Sequence, residues 1–161
     1  MNSSEKPQVI PFSPEYASAF EALNRRWIEQ FFVIEEPDSR VLGDPFGAIV
    51  EPGGQVFFVT LEGRALGTCA VIREDADVFE LAKMAVDPEA QGRGYANWLM
   101  EAAIDFAQEA GAKKLILLTN SKLAPAISLY AKYGFQHVPV EDDHGYARAD
   151  VRMELYLTAS T

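Results

Sequence analysis

The sequence predicts one α/β domain, a mixed sheet with helices on both faces, and three observations carry that prediction. Apolar strands at residues 55–61, 65–72 and 80–86 are separated only by short polar turns, which implies an antiparallel meander. A glycine turn, Gln91-Gly92-Arg93-Gly94-Tyr95-Ala96, then opens a helical pattern that leads to a further strand. A strand reached through a crossover helix lies parallel to the strand before it. That further strand, Lys114-Leu115-Ile116-Leu117-Leu118, is almost wholly apolar, as a central strand covered on both faces should be.

Taken in order, a short strand at residues 8–10 leads to Ser13-Pro14, which reads as a helix cap followed by proline at the first helical position. Tyr16, Ala19, Phe20, Leu23, Trp27 and Phe31 then recur at three-to-four-residue spacing, a stripe expected to face the core. Pro37, Gly43, Asp44-Pro45 and Gly47 break the pattern, so residues 33–49 are expected to form a short helix and loops. Pro52-Gly53-Gly54 and Glu62-Gly63-Arg64 punctuate the meander, and Arg73-Glu74-Asp75-Ala76-Asp77 turns the chain into its last strand. The helix after the glycine turn carries Tyr95, Leu99, Ala102, Phe106 and Ala110, with Gly111 as its stop. Pro125 falls in the first turn of a helix over residues 123–133, which Gly134 ends. Two closing strands, one from Phe135 and one at residues 151–157, flank the polar stretch Glu141-Asp142-Asp143-His144-Gly145. No repeat or interdomain linker divides the 161 residues, so residues 1–161 are expected to form a single domain.

A hydrophobic content of 48% supports a core of ordinary size. No apolar run reaches membrane-spanning length, and Met1-Asn2-Ser3-Ser4-Glu5-Lys6 lacks the apolar centre of a signal peptide, so a cytoplasmic protein without membrane association is expected. Cys69 is the one cysteine, which excludes an internal disulfide and reads as a small buried hydrophobe. His137 and His144 stand in separate segments, so zinc-type spacing is absent and no metal is expected. The net charge of −10 opposes nucleic-acid binding, which needs a basic face, and suits an amine-bearing partner better. A homodimer is left open.

The glycine turn joins a strand to a helix N-terminus. Gly92 and Gly94 carry no Cβ, and the first-turn N–H groups of the helix have no intrahelical partner, so an anion is favoured there. Ahead lies Phe79-Glu80-Leu81-Ala82-Lys83-Met84-Ala85-Val86-Asp87-Pro88, and downstream Ile127-Ser128-Leu129-Tyr130-Ala131-Lys132-Tyr133-Gly134-Phe135. The combination resembles the GNAT superfamily of acyl-CoA-dependent N-acetyltransferases. Gln91, Gly94 and Ala96 fill its phosphate-loop pattern; Leu129, Tyr130, Lys132, Gly134 and Phe135 fill its second signature. The resemblance extends over residues 79–138 and is weaker in the N-terminal half. A dinucleotide-binding fold is a poorer match, because the position three past Gly94 holds Asn97 and the loop follows a meander.

The resemblance implies a mostly antiparallel mixed sheet whose central parallel strand pair splays, with acetyl-CoA as co-substrate. Its pantetheine arm would pair along Met84, Ala85 and Val86, and its pyrophosphate would lie over Gln91, Gly92, Arg93, Gly94, Tyr95 and Ala96. Tyr130 is the expected general acid for the departing thiolate. Many relatives carry Asn two turns before that tyrosine; here Leu123 stands there, and Asn120 is either the replacement coenzyme contact or a helix cap. Glu80 is the expected base, directly or through water, matching the catalytic glutamate of the histone-acetylating branch. By strand alternation it shares a face with Ala82, Met84 and Val86, apolar surroundings that should raise its pKa. Acceptor contacts are expected from Trp27, Phe31, residues 35–38 and the 141–146 loop with His144. The implied activity is acetyl transfer to a primary amine of a small molecule or peptide by direct attack in a ternary complex; the alternative is a non-catalytic acyl-CoA sensor.

Overall fold

The computed structural model describes residues 6–140 and 146–158. Strand β1 (Gln8–Pro11) precedes helices α1 (Ala17–Phe31) and α2 (Glu36–Gly43). The meander follows as β2 (Gln55–Leu61), β3 (Arg64–Arg73) and β4 (Val78–Val86). Helix α3 (Tyr95–Glu109), β5 (Lys114–Thr119) and α4 (Ala124–Lys132) come next, and β6 (Gln136–Val138) and β7 (Val151–Tyr156) close the chain. The seven strands form one sheet in the order β1-β2-β3-β4-β5-β7-β6. The β4–β5 pair is parallel and every other pair antiparallel. Glu62 (φ 52°) and Gly63 (φ 76°) both adopt the left-handed conformation that the tight β2–β3 hairpin requires.

Each face of the sheet has its own core. Leu99, Met100, Ala103 and Ala107 of α3 pack on Cys69, Val71, Phe79, Leu81, Leu115 and Leu117. On the other face Phe20 and Ile28 of α1, Leu42 of α2 and Ile49 cover Val56, Phe58 and Ala70. Cys69 lies wholly inside the first core, its thiol donating to the Leu99 carbonyl at 3.7 Å, and burial pushes its pKa up to about 12. Both helical stripes are displaced from their expected positions. On α1 the sealed residues are Phe20, Asn24 and Ile28, whereas Phe31 is 51% exposed. Asn24 is tolerated inside because its amide donates to the Phe20 carbonyl (3.0 Å) and accepts from the Trp27 indole (3.2 Å). On α3 the buried set is Tyr95, Leu99, Met100, Ala103 and Ala107, because alanine lets the helix approach the sheet, while Phe106 packs edge-on against Phe57 and Phe79 at its flank.

Two irregularities shape the centre of the sheet. Parallel pairing between β4 and β5 covers only Val78–Lys114, Phe79–Leu115 and Glu80–Ile116, although β4 runs on to Val86 and β5 to Thr119. Beyond Glu80 the two strands separate and leave a slot between them. Opposite, the β3 register passes from Thr68↔Ala85 to Ala70↔Ala82, so Lys83 and Met84 together face Cys69. Lys83 is left-handed (φ 55°), the signature of a β-bulge. The extra residue reverses the strand's alternation. Phe79 and Leu81 before it, and Met84 and Val86 after it, all pack into the α3-side core. The expected single face of Glu80, Ala82, Met84 and Val86 is therefore corrected: the bulge divides that set between the two sides.

Candidate active site

The slot between β4 and β5 is walled by Leu81 through Val86 on one side and by Leu117, Leu118 and Thr119 on the other, with Trp27 and Leu123 beside it. Gln91 stands at one end and Tyr130 of α4 within it. Where Gln91 gives way to the glycine turn, Gly92 (φ 85°) and Gly94 (φ 83°) are both left-handed, a conformation a side chain would strain, and a Cβ on either would point into open space. Gly94 is also the N-cap of α3, so no side chain occupies the donors of the helix's first turn. Tyr95 belongs to the core, 5% exposed with its ring 5.3 Å from that of Trp98. Arg93 projects from the loop and donates to the Glu89 carbonyl at 3.4 Å. Asp87 fixes the approach by accepting from Glu89 N (2.9 Å) and from Arg64 (3.1 Å). A slot bordered by unpaired strand edges and ending on an uncapped helix suits an extended, amide-bearing chain with an anionic end, the chemistry of an acyl-CoA.

Tyr130 is part-buried, its ring 6.1 Å from that of Phe135. Burial, and secondarily the neighbouring Cys69, push the phenol up to about 12, so it holds its proton at neutral pH.

A second pocket adjoins the slot and shares six wall residues with it: Trp27, Ala82, Lys83, Leu118, Thr119 and Leu123. Phe32, Ile72, Glu80, Asn120, Tyr146, Arg148 and Ala149 complete it. Burial raises the Glu80 carboxyl to about 7, helped by the charge and hydrogen bond of Glu74 and opposed by Lys83 and Arg152. A carboxyl near 7 exchanges protons readily at neutral pH, the property a general base needs. Asn120 caps no helix end; its amide donates to the Arg148 carbonyl (2.6 Å) and accepts from Lys122 N (2.8 Å). It thus ties the end of β5 to the segment leading into β7. Phe31 points away from both cavities, whereas the chain leaves α1 extended at Phe32 and that ring enters the pocket. His144 lies outside the described residues.

Sequence reasoning missed the charged group behind this pocket. The Asp38 side chain, wholly buried, receives both Nη atoms of Arg148 at 2.7 Å, the Lys83 ammonium at 2.5 Å and the Glu35 N–H at 2.8 Å. Burial alone would raise the Asp38 carboxyl, but the hydrogen bonds from Arg148 and Lys83 outweigh it and hold it well below the usual carboxylate range. Burial likewise draws Lys83 below its ordinary value while Asp38 opposes the shift. Glu35 accepts from Ala147 N (2.9 Å) and pairs with Arg148 at 3.4 Å. The Tyr146 ring carries Lys83 at 4.7 Å and Arg148 at 4.8 Å from its centroid. The signal was present at Lys83, a lysine on the Leu81/Ala85 phase of an apolar strand, where a charge requires a partner.

The described residues thus form a slot continuous with a second pocket. Residues 11–135 match the model of the acetyltransferase (GNAT) family. The chain is 29% identical over 126 residues to the uncharacterized N-acetyltransferase YjgM of Escherichia coli (strain K12), covering 76% of this chain and 74% of that one. It is 33% identical over 95 residues to N-acetylaspartate synthetase of Xenopus tropicalis, covering 58% of this chain but 35% of that longer protein. The fold superposes with a TM-score of 0.86 on a GNAT-family acetyltransferase from Staphylococcus aureus Mu50, at 18% identity over 95% of this chain and 100% of that one. The chain belongs to the GNAT acetyltransferase family. It is an acyl-CoA N-acyltransferase, and acetyl-CoA is the co-substrate consistent with that membership.

Proposed function

We propose that the chain moves an acetyl group from acetyl-CoA to a primary amine of a small molecule or peptide, by direct attack with both substrates bound. The observation that carries this reading is the continuity of the slot with the Glu80 pocket through six shared wall residues. Acetyl-CoA supplies the activated acyl group; the chain positions it and moves the protons. Gln91 to Ala96 receive the pyrophosphate on backbone N–H groups, and the free edge at Met84, Ala85 and Val86 receives the pantetheine amides. Glu80 takes the proton that the amine loses as its nitrogen bonds to the acetyl carbon. Tyr130 donates to the sulfur as the carbon–sulfur bond breaks. Its phenol, near 12, is a weaker acid than an ordinary thiol, so it acts first as a hydrogen-bond donor to the thiolate. Trp27 and Phe32 flank the acceptor body.

The test is incubation with acetyl-CoA and a broad amine panel, following free thiol and identifying the product by mass spectrometry. Acetylated amine is the expected product. Coenzyme binding without thiol release for any amine would point instead to a sensor module.

A further inference from the structure

We propose that the acceptor amine carries a carboxylate a few bonds from its nitrogen, held by Lys83 and Arg148, which makes amino acids the substrate class. This rests on the acetyl-transfer reading above and narrows it.

Among the described residues, the charged side chains lining the acceptor pocket are Glu80, Lys83 and Arg148. Two are cations, and the one carboxyl is half-protonated near neutrality. The counter-ions do not face the ligand, since Asp38 is wholly buried and neither Asp38 nor Glu35 lines the cavity. Among the described residues the pocket thus offers two cationic heads whose paired carboxylates lie behind them, so an anionic group in the cavity can meet their donors directly.

Donors remain to meet it. Lys83 has three ammonium hydrogens, of which Asp38 and Tyr146 take two; Arg148 has five N–H donors, and its three bonds to Glu35 and Asp38 leave Nε–H and one Nη2–H over. No buried side-chain nitrogen among the described residues lacks a partner, so that Nε is open to the cavity or to solvent. Asp38 and the Tyr146 ring hold both cationic heads in place, so little ordering is required when a carboxylate arrives. Glu80 and Lys83 stand on one strand with Leu81 and Ala82 between them, and both line the pocket, so an amine at Glu80 has the Lys83 ammonium on the same wall.

The test compares each of the common amino acids with its carboxamide and with its decarboxylated amine, measuring kcat/KM with saturating acetyl-CoA. At least one amino acid should exceed both analogues by about 100-fold or more, because a site with donors set for a carboxylate is left unpaired by the analogues. Lys83→Gln should shrink that ratio toward one; a purely structural lysine would lower all three rates and leave the ratio intact. Analogues that react as well as the amino acids overturn the inference while leaving acetyl transfer standing. So does a preference that Lys83→Gln does not change. Binding of acetyl-CoA with no turnover of any acceptor defeats the transfer reading and this inference together.

Discussion

Glu80 and Tyr130 face opposite demands, and burial serves both. A buried carboxyl loses part of its preference for the ionised state and comes to about 7, while a buried phenol keeps its proton until about 12. As the proposed base Glu80 acts in its ionised form, so kcat should rise with pH through about 7, and Glu80→Gln should slow turnover and remove that limb. Acceptors of different basicity separate this limb from deprotonation of the amine. Glu74 supplies part of the upward shift, so Glu74→Gln should move the limb to lower pH, and a pH–kcat profile of the variant checks it. Tyr130→Phe keeps the ring against Phe135 and removes the donor, and kcat should fall by roughly 10²–10⁴ with acetyl-CoA affinity little changed. Single-turnover measurements confirm that chemistry is the step observed.

The glycine turn and the β4 bulge set the geometry among the elements. Gly94→Glu forces a side chain onto φ 83° and adds a negative charge at the anion-binding end of α3. Acetyl-CoA affinity should fall below detection in calorimetry while the circular dichroism spectrum is retained. The bulge explains what the sequence did and did not disclose. Strand order through the meander, the crossover and the glycine turn were legible, because turns and apolar runs are local signals. The reversal at Lys83 was not, because a bulge depends on the register of the neighbouring strand, two β4 residues against Cys69. The choice of Phe32 over Phe31 depends similarly on where α1 lets go of its last turn, an end effect that periodicity does not fix. The ion group escaped for the same reason: Asp38 and Arg148 lie 110 positions apart and meet only in the folded chain.

For the molecule as a whole, that ion group has a stability consequence. Asp38→Asn leaves Lys83 and Arg148 without their shared counter-charge inside the fold and should cost about 3–5 kcal/mol in urea unfolding. Removing the half-exposed Arg25–Glu21 pair should cost about 0.5 kcal/mol or less. The pH dependence has two limbs of opposite sign. Asp38 has a depressed folded pKa, so its contribution is present above the ordinary aspartate range and lost as pH falls toward the folded value. Glu80 has a raised one: the folded state holds a proton that the unfolded chain releases above about 4.5, so this contribution declines as pH rises through about 7. Tm should therefore fall between pH 5 and 8, and the fall should be smaller in Glu80→Gln.

The two cavities differ in how much of the chain each needs. Apart from Trp27, the slot is walled by residues 81–130, whereas the acceptor pocket and its ion group also draw on residues 32–38 and 146–149. A change in residues 32–38 or 146–149 can therefore reshape the second pocket while leaving most of the slot's wall as it is.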